Sequence, residues 1–538
     1  MYGSPTIHGT CTAFSPCGGY VACITANKVR VCAASAPTRY TEFAIRVPSK
    51  GISALRWNDQ SNLIAVFSTR SVEVLDLEDS SHRTRIDNGS GGLGKFAAVE
   101  FVGREQLMTV WEFGKAKLWD LATGKSGDLA DVKTTCTGQR WQARPRRDAT
   151  TATTPLALLS RSGAEDVLSL VLPGVCKTVA SVKLPTVDAQ SLRFSPDGRW
   201  ISVRDTPTAA HDLYIFTPDG QLFRTYPPVE EAATFSLGTR IAVWSGDSRM
   251  VALARYDGKI VLLNTRTFAP LAIIEHNTTV DQTSLRAGAQ AQIWQEAVSA
   301  SGARTYNSMP QPFSPPISRI RPTSEPSELG IAEACFSQDG AFLASRDERM
   351  LNTVWIWNTV SLAAHAVIVQ HNNIRRMQWQ PKSSAVLLLD TGEGVAFVYS
   401  PSSAQPPSPI STTLPGAPSL HWLPMPSQEP SILAVARSSF VILGSFDDVS
   451  TQPAHGNGDH NTGDEGDSED SIFDLLSGKQ ALPPKTEQSY TERVDLEVET
   501  EEEGQSTLGM DDTFRDKKNV YEKTEDQERD PLDDSEFF

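Results

Sequence analysis

Phe194-Ser195-Pro196-Asp197-Gly198, followed at once by Trp200-Ile201-Ser202-Val203, joins an aromatic residue, a polar turn and an alternating strand. Pro sets φ for the bend and Gly tolerates a positive one, so the stretch reads as one strand turning into the next. The phrase returns as Phe14-Ser15-Pro16-Cys17-Gly18 and Phe336-Ser337-Gln338-Asp339-Gly340, and more loosely around Trp57, Phe101, Trp141, Trp244, Trp379 and Trp422. Successive anchors lie 43, 44, 40, 53, 50, 92, 43 and 43 residues apart. A period of about 40–45 residues is that of a β-propeller blade.

Each repeat carries further strands, as in Met250-Val251-Ala252-Leu253, and a later strand often closes on an apolar residue with an acid or amide. Examples are Leu118-Trp119-Asp120, Val74-Leu75-Asp76 and Ile356-Trp357-Asn358. One such sheet cannot cover both of its faces, and radial stacking of blades does so while leaving only short edges. The anchor aromatics are then core residues rather than ligand contacts. The expected fold is all-β, a WD-repeat propeller with about nine repeats. One large ring is favoured over two, closed by a short N-terminal strand before Phe14.

The 39% hydrophobic content supports a real core. The polar start Met1–Ser15 and the absence of a long apolar run point to a soluble, intracellular protein without membrane contact. Seven cysteines without a C-x-x-C pair argue against a disulfide framework or a zinc ribbon. The group Cys11, Cys17, Cys23 and Cys32 falls within the first repeat and reads as buried thiols rather than a metal site. Of the formal net charge of −16, residues 451–538 carry −18 and residues 1–450 the remaining +2. A near-neutral body is poorly suited to direct nucleic-acid binding, which draws its affinity from phosphate neutralisation. We therefore expect a propeller over 1–449 and a disordered acidic tail over 450–538, poor in large apolar residues. Within the tail, Ser471-Ile472-Phe473-Asp474-Leu475-Leu476 is an apolar island suited to folding on a partner. The stretch of about 280–328, rich in Gln, Ala, Ser and Pro, reads as an inserted loop.

Motifs of known chemistry fail on context. Gly89-Ser90-Gly91-Gly92-Leu93-Gly94 matches a dinucleotide fingerprint, but that site needs a helix after the glycines, and Phe96–Phe101 reads as strand. Gly124-Lys125-Ser126 lacks the first glycine of a phosphate loop, since Trp119 stands there. There is no nucleophile elbow and no H-E-x-x-H, and the nine histidines are scattered singly. No catalytic residue, cofactor or metal is expected. The basic knot Arg140, Arg144, Arg146 and Arg147 around Trp141 reads either as a solvated loop or as a docking patch for an acidic partner, the tail included. Ser314-Pro315 and Ser408-Pro409 are candidate sites for a proline-directed kinase, whereas Ser15-Pro16 and Ser195-Pro196 read as turn structure.

Three blocks carry a more specific likeness. They are Arg85–Leu93, then Leu237-Gly238 with Val243-Trp244-Ser245 and Tyr256–Ile260, and finally Leu329–Ile331 with Ala344-Ser345-Arg346-Asp347 and Asn352–Trp357. Over about 10–445 the chain resembles the WD-repeat protein eight family of centrosomes and fungal spindle pole bodies, with 138–190 departing from the pattern. The resemblance implies a non-catalytic scaffold in the cytoplasm and cytoskeleton. It would anchor microtubule minus ends and help organise the mitotic spindle, with a coiled-coil anchoring protein and a kinesin-fourteen motor as partners. On this reading the polar residues of the blocks, Asp87, Asn88, Ser90, Arg346, Asp347 and Asn352, are candidate partner contacts, unless they bond turn backbone instead. Arg144, Arg146, Arg147, Phe473, Leu475 and Leu476 join them from the knot and the tail. The other binding function weighed is a propeller in translation initiation or RNA-protein assembly.

Overall fold

The turn that opens each repeat is built the same way several times. In Ser195-Pro196-Asp197-Gly198, the Ser195 hydroxyl donates to Asp197 (2.6 Å), whose carboxylate accepts the Arg199 N–H, and Trp200 N–H donates back to Ser195 Oγ. Gly198 takes φ +68°, where a side chain would be strained. Ser245-Gly246-Asp247 and Ser337-Gln338-Asp339 repeat these bonds. In the first repeat Cys17 takes the aspartate's place, with its Sγ 3.2 Å from Ser15 Oγ and accepting the Gly19 N–H. Cys17 thus sits in a turn, while Cys23 and Cys32 lie buried on strands. Ser15 and Ser195 are fully buried, as their reading as turn residues requires.

The computed structural model describes residues 2–444 except 48–50, 80–81, 89–93, 146–153, 228–237, 282–290, 318–329, 382–384 and 426–430. Ser90, Arg146, Arg147 and the tail with Phe473, Leu475 and Leu476 lie outside the described residues. Nine antiparallel sheets follow one another along the described chain. We number the blades by their innermost strands: Thr10–Phe14, Ile52–Trp57, Phe96–Phe101, Trp141–Ala143, Ser191–Phe194, Thr239–Trp244, Ile331–Phe336, Arg376–Trp379 and Ser419–Leu423. Blade four, in the stretch that departs from the family pattern, is an ordinary four-stranded blade ending in Lys177–Lys183. Blade nine is completed by the N-terminal strands Tyr2–Gly3 and Ile7–His8, which pair with Ser439–Gly444.

Whether the blades form one ring is decided by their seams. Leu213 and Ile215 of blade five pack on Trp244, Val251 and Leu263 of blade six. Val21, Cys23 and Cys32 of blade one pack on Leu423, Leu433 and Phe440 of blade nine. Among the described residues nine such apolar clusters fill the nine seams in cyclic order, so the ring is single and closed. Each fully buried Leu, Ile or Phe contributes about 1.5–3 kcal/mol.

The anchor tryptophans lace the seams polarly as well. Trp57 Nε1–H donates to the Ala13 carbonyl, Trp379 to Cys335, Trp422 to Gln378, and Trp141 to the Glu100 carboxylate, each one repeat back. The aromatic phrase is therefore core, and its period is the distance between hydrogen-bonded neighbours.

The insertion of about 280–328 is not only loop: Gln292–Val298 and Arg304–Ser308 form a hairpin that extends blade seven to six strands. The hairpin joins Ala363–Val369 by the only parallel pairing among the described strands. Ile293 and Ala291 enter the core between blades six and seven, while Trp294 and Tyr306 pack on the core between blades seven and eight. The alternation in Gln292-Ile293-Trp294-Gln295-Glu296-Ala297-Val298 is a strand pattern, diluted in the composition by the polar and proline-rich residues around it. No α-helix occurs among the described residues.

Candidate interaction surfaces

The candidates drawn from the family blocks do not meet on one surface. Asp87 is exposed at the end of the outer strand of blade two and pairs with Arg85 at 2.8 Å. Asn88 ties blade two to blade three, donating to the Gly94 carbonyl and accepting Trp111 Nε1–H at 2.9 Å. Arg346 and Asp347 lie on blade seven, far along the ring. Arg346 is largely covered, with Glu333 at 3.8 Å and Glu348 at 3.9 Å. The Asn352 side-chain amide donates to the Gln370 carbonyl, just past the strand Ala363–Val369. Asp347 must be withdrawn as a partner contact: its side chain is 0% exposed and is held by the Arg349 guanidinium at 2.6 Å.

Asp347 instead belongs to a buried cluster missed by sequence reasoning. Trp357 Nε1–H donates to Ser345 Oγ at 2.9 Å, His276 Nε2 lies 2.8 Å from the same oxygen, and His276 Nδ1 faces Asp347 at 3.9 Å. The imidazole stacks on Trp355 and Trp357. Burial, opposed by the Asp347 charge, pushes the His276 pKa down to about 4, so the ring is neutral. The insertion sets His276 and Ser345 69 positions apart, and that gap hides the constellation in the sequence. The second and third family blocks meet here. Gly330 lies against Tyr256 and Arg255, Gly258 against Arg349, and Arg240 pairs with Glu348 at 3.3 Å. Every one of these groups holds blades six and seven together. His276, Ser345 and Asp347 at its centre are buried.

Two features remain open to a partner. The first is a groove between blades one and two, a cavity of about 390 Å³ lined by Tyr20, Tyr40, Phe43, Leu77, Arg39 and Glu78 among others. Tyr20 and Tyr40 are 44% and 53% exposed, and Arg30 lies over the Tyr40 ring at 4.1 Å. Exposed, positioned aromatics are the residues that anchor protein interfaces.

The second is the wall of the central channel. The residue before each anchor aromatic reads, around the ring, Ala13, Arg56, Glu100, Arg140, Arg193, Val243, Cys335, Gln378 and His421. Its neighbour one place earlier is buried in a seam at Leu55, Val99, Leu192, Met377 and Leu420, whereas Gln139, at blade four, is exposed. Arg56, Glu100 and Arg193 keep solvent-accessible surface although they sit on innermost strands, so this position faces the channel, whose walls still crowd Glu100 and Arg193. Burial raises the Glu100 carboxyl despite its bond from Trp141. Burial lowers the Arg193 guanidinium, with no compensating anion. Arg140 lies over Trp141 at 5.7 Å, and Arg144 donates to the Gly198 carbonyl at 2.8 Å, so part of the basic knot is turned toward blade five. Ser314 and Ser408 are both exposed.

No protein-family model matches the chain. It is 25% identical over 389 residues to WD repeat-containing protein WRAP73 of Mus musculus, covering 68% of this chain and 78% of that one. It is 24% identical over 339 residues to an uncharacterized WD repeat-containing protein of Schizosaccharomyces pombe, covering 62% and 65%. Among solved structures, a eukaryotic initiation factor superposes with TM-score 0.47 and 10% identity, covering 75% of this chain and 88% of that one. The C-terminal WD40 domain of Sif2 does so with TM-score 0.42 and 12% identity, covering 76% and 97%. Neither structural likeness is close enough to carry an argument. The chain is a nine-bladed β-propeller, and its two sequence relatives, both WD repeat-containing proteins, support the WD-repeat family and no particular branch of it.

Proposed function

We propose that the protein is a non-catalytic adaptor at the spindle pole body or centrosome. It helps anchor microtubule minus ends through a coiled-coil anchoring protein and a minus-end-directed kinesin-fourteen motor. One observation supports this most: the two longest blocks that resemble the centrosomal family, about 237–264 and 329–357, fold against each other as a single seam. The likeness thus covers a coherent structural unit rather than scattered turns. A rigid ring with an aromatic groove on its rim and a charged channel suits an adaptor that holds two partners in fixed geometry. The groove at Tyr20 and Tyr40 would take the apolar face of a helix from the coiled-coil partner.

The test is fluorescent tagging of the full-length protein in dividing cells, beside a spindle-pole marker, with affinity purification in parallel. Pole foci with recovery of a coiled-coil protein and a kinesin are expected, and Tyr40→Ala should release the coiled-coil protein. Diffuse signal, or salt-sensitive co-sedimentation with ribosomes, would overturn the reading.

A further inference from the structure

We propose that the arc of channel wall on blades two to five binds an acidic, extended segment of a partner polypeptide, with Arg193 as its main anchor and Arg56 and Arg140 beside it. This site stands whatever the adaptor's cellular address. Arg193 has no anionic partner among the described residues. It opens into a cavity of about 410 Å³ lined also by Gln142, Phe194 and Trp244. A guanidinium offers a planar fork to a carboxylate. Across this arc three arginines face Glu100, which is already occupied by Trp141 Nε1–H at 2.6 Å, with Asp59 close enough to act on it. The opposite wall at the same level is Val243, Cys335 and Gln378, without charge. At this level the charge is one-sided, although Arg376, two residues before Gln378 on the facing wall, is also exposed and lies 3.2 Å from His421.

A peptide fits this distribution better than a nucleic acid. Phosphate backbones are held by continuous basic tracks that neutralise many charges, whereas residues 1–450 carry only about +2 and the arc is interrupted by Glu100. Arginines on blades two, four and five match carboxylates spaced along an extended chain.

The experiment is fluorescence anisotropy with the full-length protein. The probes are a fluorescein-labelled peptide of repeating Glu-Ala-Glu-Phe, its Gln-Ala-Gln-Phe counterpart and labelled oligo(dT). Saturable binding of the Glu peptide is expected, weakened about tenfold or more by Arg193→Gln and further by adding Arg56→Gln and Arg140→Gln. Gln378→Ala, on the neutral wall, should leave it unchanged. Thermal unfolding of Arg193→Gln at no lower a temperature than the parent separates lost binding from lost fold. If that variant does not fold, the Arg56→Gln/Arg140→Gln pair carries the test with a weakening of about threefold or more. Absence of saturable binding, equal binding of the Gln peptide, tighter binding of oligo(dT), or binding untouched by the arginine variants would each overturn the proposal.

Discussion

The seam between blades six and seven and the seam between blades four and five are both rich in charge, but they use it differently. At the first, Asp347 is held by Arg349, and Arg240 by Glu348, while His276 is kept neutral between Ser345 and two tryptophans. At the second, Lys133 is buried between Asp166 at 2.8 Å and Asp188 at 2.6 Å, with Asp166 also accepting the Ala189 N–H. Arg193, on the channel face of blade five's innermost strand, has no anionic partner among the described residues. Where charges are paired and covered they hold blades together, and substitution should cost stability. Where a charge is enclosed but unpaired it contributes little to the fold, and its removal should be tolerated. The same contrast separates Asp347, a family-block residue that proves structural, from Arg193, which no motif singles out.

The largest effect is expected at Lys133. Lys133→Ala leaves Asp166, 1% exposed, without its counter-charge, and should cost about 3–5 kcal/mol in urea unfolding. Asp347→Ala should cost less, about 2–3 kcal/mol, because Arg349 is 31% exposed and can turn to water. A larger loss at Asp347 than at Lys133 would break the ranking by burial.

The next effect is one of pH. A histidine whose folded pKa lies near 4, below its unfolded value of about 6.5, binds its proton more readily when unfolded. The stability it contributes is fully present above pH 6.5 and is lost as pH falls from there toward 4, by about 3 kcal/mol at most. Unfolding midpoints measured across that window should fall less steeply in His276→Gln than in the parent. Parallel slopes would mean that His276 is solvated or charged in the fold.

A smaller loss, about 1–2 kcal/mol, is expected for Trp357→Phe, which keeps the ring stack but gives up the bond to Ser345. The smallest change is on the other side of the comparison. Arg193→Gln should shift stability by under about 1 kcal/mol, upward if at all, since it removes an enclosed charge without a partner. A clear destabilisation there would show that the channel arginine is structural after all.

Much of the fold is legible in the residues because it rests on local patterns. The turn Ser195-Pro196-Asp197-Gly198 bonds within itself, so its sequence is enough to place it. The repeat of anchors also reports blade number, since one tryptophan reaches one blade back. The hairpin at Gln292–Ser308 was not legible from composition, because its strands are short and flanked by residues of loop character. The His276 cluster was hidden for a related reason: the insertion separates by 69 residues groups that the ring brings within 2.8 Å.

The sequence by itself determined an all-β chain of about nine repeats, its aromatic core and its lack of a recognisable catalytic motif, because these follow from period and residue type within a short window. Only the tertiary structure decided that the ring is single, that Asp347 is buried, that the insertion extends a blade, and that Arg56, Arg140 and Arg193 share one wall. The physical reason is that closure, burial and charge pairing depend on which distant strands become neighbours. In a ring that is settled by packing across the seams, where residues more than forty positions apart meet.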